Sequence, residues 1–160
     1  MTKNMEENTF IPKLTFIVKN PTVCRICDKT FYRESLLSGG GRLNAENVSD
    51  TLHRTYKPTP KFGRIHPLIY STVVCPGCFF SALPGDFENP NEEYIDKLSS
   101  LAREWIDFVN KLIGEPVDFN NYRTLKTGAA AYALSTLCYD FFTRKSIPVI
   151  KQAICSIRTA

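Results

Sequence analysis

VVCPGCFF, residues 73–80, and CRICDKTF, residues 24–31, share one design: each holds a Cys-x-x-Cys pair entered from short β-forming residues. Forty-seven residues separate Cys27 from Cys75. Two intervening residues let the chain fold back so that both sulfurs of a pair reach one ion, and two such turns complete a tetrahedron. Pro76 presets the backbone after Cys75, and Gly77 is expected to tolerate a left-handed conformation before Cys78. The spacing therefore predicts a structural zinc site closed by Cys24, Cys27, Cys75 and Cys78. The long insert is no obstacle, because loop-closure entropy grows only logarithmically with length.

Three other readings of the cysteines stand beside zinc. A thioredoxin-like thiol redox role wants a Cys-x-x-Cys opening a helix, yet DKTFYRE after the first pair reads as strand and Pro84 interrupts the segment after the second. Disulfides fit poorly with a reducing compartment. Unrelated cysteines would make two identical spacings a coincidence. His53 and His66 lie in the insert and are read as loop histidines, with replacement of one cysteine ligand as the alternative. Cys138 and Cys155 fall on apolar helix faces and are read as buried and inert. No Ser-His-Asp set or carboxylate dyad occurs at a recognisable spacing, so no catalytic residue is assigned and a non-enzymatic protein is the expectation.

The 160 residues are 43% hydrophobic and 22% charged, a globular balance, with 20 Lys+Arg against 16 Asp+Glu. No apolar run is long enough for a membrane span. The opening MTKNMEENTFIPK lacks an apolar signal core, so a cytoplasmic location is expected.

The pattern along the chain predicts an α+β protein. A zinc-ribbon-like β module with a long insert is placed at 10–88, followed by a helical part at 89–160, with one compact unit of the two as the alternative. KLTFIVKN and LIYSTVVC read as strands leading into the two pairs. Gly39, Gly40 and Gly41 mark a flexible turn without the frame of a phosphate loop. PGDFENP reads as a turn whose acids sit near a helix N-terminus. NPNEEYIDKLSSLAREWIDFVNKLIG reads as one helix capped by Asn89, with Tyr94, Leu98, Leu101, Trp105, Phe108 and Leu112 on one face. A second helix is expected from near Thr124, where Gly128 and the alanines after it would admit another helix. A third opens at Pro148 and carries an apolar stripe of Ile150, Ala153, Ile154 and Ile157 that needs cover.

The insert carries Arg54, Lys57, Lys61 and Arg64 interleaved with Tyr56 and Phe62. Cations and ring faces together are what a nucleic-acid surface uses, so these six residues are the candidate nucleic-acid contacts. A solvated polar loop is the plainer reading, and the formal −2 of a four-thiolate zinc site works against the local positive field.

With these features in place, the chain resembles the bacterial domain-of-unknown-function family 2225. Members pair an early C-x-x-C-G-x-x-F with a later Y-x-V-x-V-C-P-x-C-G-Y-A-A…D-F. The matching stretches are CRICDKTF and IYSTVVCPGCFFSALPGDF, within a resemblance covering residues 10–160. It implies Cys24, Cys27, Cys75 and Cys78 as metal ligands and Asp86-Phe87 as a structural motif. It also implies a tetratricopeptide-like pair formed by TLKTGAAAYALSTLCYDFF and IKQAICSIRTA. Asp28 and Phe79 stand where the family has glycine; a left-handed backbone there suits aspartate better than phenylalanine. The resulting expectation is a zinc-binding adaptor that meets a protein partner, or another copy of itself, through its helices. Nucleic-acid binding and thiol redox chemistry are the alternatives, and no small-molecule substrate is identifiable.

Overall fold

The computed structural model describes residues 14–50 and 54–159. The expectations for the N-terminal tail and for His53 lie outside the described residues. The architecture is α+β: small antiparallel strand pairs in the first half, helices in the second, with a cysteine cluster that fits a zinc-ribbon-like module.

β1 (Thr15–Ile17) pairs with β4 (Glu34–Leu36), and β2 (Thr22–Val23) pairs with β3 (Thr30–Phe31). KLTFIVKN is thus not one strand running into Cys24; the chain breaks before Pro21, and β2 makes the approach. β5 (Asn44–Val48) and β6 (Arg54–Lys57) form an exposed hairpin in the insert. Pro67–Tyr70 is a 3-10 turn, and only Val73–Val74 of LIYSTVVC is strand (β7), paired with β8 (Ser81–Ala82). Side chains hold the turn's carbonyls where a strand partner would otherwise do so: Tyr132 Oη donates to Leu68 O at 2.7 Å and the Arg123 guanidinium to Ile69 O at 2.7 Å.

PGDFENP forms a short helix, α1 (Pro84–Glu88), rather than a turn. The next segment is not one helix from Asn89. Asn89 closes α1 through its amide to Gly85 O, and the cap moves to Asn91, ahead of a 3-10 turn at Glu92–Tyr94. Then come α2 (Ile95–Ser100) and α3 (Ala102–Ile113), separated at Leu101, next to Ser100 whose Oγ bonds back to Lys97 O. Burial also turns the expected face. Leu98, Trp105 and Val109 are fully buried, whereas Tyr94, Phe108 and Leu112 reach solvent. The apolar surface spans more than one line of residues, and the line through Leu98, Trp105 and Val109 is the one that faces the core.

α4 (Leu125–Cys138) starts at Thr124 through a reciprocal Thr124–Thr127 cap, as expected. Another helix does pack on it, as expected, but Gly128 itself admits the 3-10 turn. A Cβ on Gly128 would lie 2.6 Å from Ile69 of the 3-10 turn, and Ser81 of β8 bonds Ala131 O and Ser135 Oγ at 2.9 and 2.7 Å. α5 (Pro148–Thr159) packs on α4. One hydrophobic cluster runs from Cys24 and Ile26 through Phe80, Phe87 and Trp105 to Cys138 and Cys155.

Candidate metal centre

Each cysteine pair tips a two-stranded hairpin in the same register. Val23 faces Thr30 around the first pair and Val74 faces Ser81 around the second, so each first cysteine sits one residue beyond its strand. The backbone bonds repeat as well. Cys24 N–H donates to Lys29 O at 3.0 Å and Asp28 N–H to Cys24 O at 2.8 Å; Cys75 N–H donates to Phe80 O and Phe79 N–H to Cys75 O, both at 2.9 Å. Ile26 N–H and Gly77 N–H point at the Sγ atoms of Cys24 and Cys75, at 3.4 and 3.3 Å. Such bonds favour sulfur carrying negative charge.

The two turns face each other. Cys24 Sγ lies 3.6 Å from Cys78 Sγ, Cys27 Sγ lies 3.5 Å from Cys75 Sγ, and all four sulfurs fall within 4.8 Å of one another. A tetrahedron with metal–sulfur bonds of about 2.3 Å has sulfur–sulfur edges of about 3.8 Å, so the set fits one ion. Cys24, Cys75 and Cys78 are buried, and Cys27 lies at the surface. Contact with Cys24 and then Cys78 pulls the Cys75 thiol down to about 2, contact with Cys75 pushes Cys24 up to about 12, and Cys78 is pushed up by Cys24 and Cys75. Four thiolates this close repel one another unless a cation lies among them.

Both residues after the pairs are left-handed: Asp28 at φ 56° and Phe79 at φ 60°. Gly77 is not left-handed, contrary to the expectation for it. It is small because a Cβ would meet the Lys29 side chain at 2.7 Å and Cys27 Sγ at 3.4 Å, the price of bringing the two turns face to face. Phe79 offsets its strained backbone by burial and by an edge-to-face contact with Phe119, centroids 4.9 Å apart. Phe119 carries no signal in the sequence that would announce this role. Asp28→Gly is therefore expected to be neutral or stabilising by up to about 1 kcal/mol, since relief of the left-handed strain outweighs added chain entropy. Phe79→Gly is expected to destabilise by about 2–4 kcal/mol, because lost aromatic burial exceeds the relief. Chemical denaturation distinguishes the two; equal effects would mean that strain alone governs both positions.

Among the described residues the cluster is made by the four cysteines alone, and neither pair opens a helix. His66 is exposed in the insert. Cys138 and Cys155 are fully buried, and burial pushes their thiols up to about 12 and about 11. Arg54, Lys57, Lys61 and Arg64 are exposed. Tyr56 is half-buried, and the ring of Phe62 meets Arg42 and Lys61, 4.9 and 5.3 Å from its centroid. Three of the six candidate nucleic-acid residues, Arg54, Tyr56 and Arg64, line one cavity.

The Asp86-Phe87 motif is structural. Phe87 packs between Phe31 and Phe80, joining the two hairpins, while Asp86 accepts from Tyr139 Oη at 2.7 Å and from Lys151 Nζ at 2.7 and 2.8 Å. No helix of the described chain is long and apolar enough to cross a membrane.

The chain belongs to domain-of-unknown-function family 2225 (DUF2225), described as an uncharacterized protein conserved in bacteria, whose model matches residues 17–160. It is similar to an uncharacterized protein of Borreliella burgdorferi, 35% identical over 150 residues, covering 92% of this chain and 53% of the relative. The chain thus spans about half the length of the curated relative it matches. No solved structure matches it.

Proposed function

We propose that the chain is a non-enzymatic adaptor in which zinc on Cys24, Cys27, Cys75 and Cys78 fixes the β part, and α4 with α5 offers a protein-docking face. The observation that carries it is the closed set of four sulfurs at metal-binding separations. With four protein ligands no position is left for substrate, which makes the role structural. A tetrahedral four-sulfur site suits zinc or iron; zinc is the choice for a site without redox work.

The docking face is α5. Val149, Ile150, Ile154 and Ile157 are exposed on it, while Cys155 faces the core. From Arg144 to Thr159 the chain has no acid and four cations, of which Lys151 is paired with Asp86. Two copies would bring like charges together, so an amphipathic helix with acidic flanks on a partner protein suits the face better than self-association. The helical pair would then act as a single tetratricopeptide-like unit. Purification of the wild-type chain from bacterial extract is expected to capture a protein partner, and the double variant Ile150→Glu, Ile157→Glu to keep wild-type stability within about 0.5 kcal/mol and lose that partner. Retention of that partner, or a wild-type dimer that the variant converts to monomer, overturns this occupant.

A further inference from the structure

A second site lies among the β5–β6 hairpin, residues 64–69 and one end each of α4 and α5. It is a cavity of about 540 Å³ and shares no lining residue with the cysteine cluster. That volume falls in the range of about 300–1,000 Å³ typical of small-ligand sites. Arg54, Arg64 and Arg158 line it, with Glu46 the one acid. Among the described residues, none of these arginines takes part in an ion pair. Leu68, Ile69 and Tyr56 add an apolar wall. That wall is held in place: Tyr132 Oη fixes Leu68 O, Gly128 lets Ile69 seat against α4, and the Arg158 guanidinium lies 5.8 Å from the Tyr132 ring centroid.

Three arginines and one acid line this volume, so it carries net positive charge that an anion would offset. One carboxylate offers two oxygens, enough for one bidentate fork; a phosphate monoester offers three terminal oxygens and up to two charges. We propose that this cavity binds a small organic phosphate, its head held by Arg54, Arg64 and Arg158 and its apolar or planar body against Leu68, Ile69 and Tyr56. A nucleic-acid strand is the poorer occupant. Lys57 and Lys61 lie outside the lining, and Phe62 is engaged by Arg42 and Lys61.

The test is calorimetric titration and thermal denaturation of the whole chain with adenosine monophosphate, inorganic phosphate, adenosine and a thymidine dodecamer. The nucleotide is expected to bind with Kd below about 1 mM and to raise Tm, phosphate at least about tenfold more weakly, and adenosine undetectably. Arg64→Gln and Arg158→Gln are each expected to weaken the nucleotide at least about tenfold. Arg64 is exposed on the insert, so Arg64→Gln leaves folding intact; Arg158 is half-buried against Tyr132, so its variant is read against its own ligand-free Tm. Three results overturn the proposal: no binding of either phosphate at about 10 mM, binding indifferent to the arginines, or a dodecamer bound more tightly than the mononucleotide. Each can occur with the metal site intact, so this inference and the zinc reading fail separately.

Discussion

Cys75→Ser is expected to lose the bound metal and at least about 5 kcal/mol of stability, a Tm drop of roughly 10–20 °C. Cys75 is fully buried, its sulfur is 3.5 Å from that of Cys27, and its own amide starts the second turn. Serine keeps the shape but supplies a poor soft-metal ligand, leaving three sulfurs crowded with nothing to bind them. Because Phe80 and Phe87 pack directly behind this turn, its loss should reach the hydrophobic core and not stop at the two hairpins. Cys138→Ser is the control. Cys138 is equally buried, and its sulfur accepts from Ser81 N–H at 3.4 Å, but it lies outside the cluster. It is expected to cost about 1–3 kcal/mol with metal content unchanged. Thermal denaturation read with metal analysis separates the two variants; a Cys75→Ser chain with full metal content would contradict the ligand assignment.

Asp86→Asn is expected to cost about 2–4 kcal/mol, the largest effect outside the cysteines and the aromatic core. The carboxylate holds Lys151 of α5 and Tyr139 at the end of α4 at once, and Tyr139 Oη also accepts from Leu83 N–H at 3.1 Å. The side chains of Asp86 and Lys151 are only 18% and 23% exposed, so salt should screen the pair weakly. Burial above all holds the Tyr139 hydroxyl above the ordinary tyrosine range, so it stays a donor to Asp86. Asparagine keeps the shape and strands the Lys151 charge. A double-mutant cycle with Lys151→Met should show coupling of about 1–3 kcal/mol that persists in high salt. Coupling below about 0.5 kcal/mol would mean that α5 is held by apolar packing alone.

The cysteine turns were legible because metal ligation demands residue types at fixed short spacing, and the left-handed positions at Asp28 and Phe79 followed from where the family has glycine. The reading of Gly77 missed because sequence shows that a glycine is needed but not whether for dihedral freedom or for space. The segment from Asn89 to Gly114 was legible as helical but not as two helices: two asparagines two residues apart offer equivalent caps, and the break at Leu101 carries no glycine or proline. Its buried face depended on α4, a partner that periodicity does not name. At Pro67–Tyr70 the local signal was Pro67 at the first position of the turn, and what holds the turn lies far off: Arg123 and Tyr132, more than fifty positions away, take the carbonyls. The cavity was hidden for the same reason, because Arg158 joins Arg54 and Arg64 only through the fold.

The most direct test of the account is the metal content of the chain purified under reducing conditions, measured together with the reactivity of its thiols. The account predicts about one zinc per chain, with Cys24, Cys27, Cys75 and Cys78 protected from alkylation until a chelator is added. Less than about half an equivalent of zinc, or four thiols that alkylate freely without chelator, would contradict it.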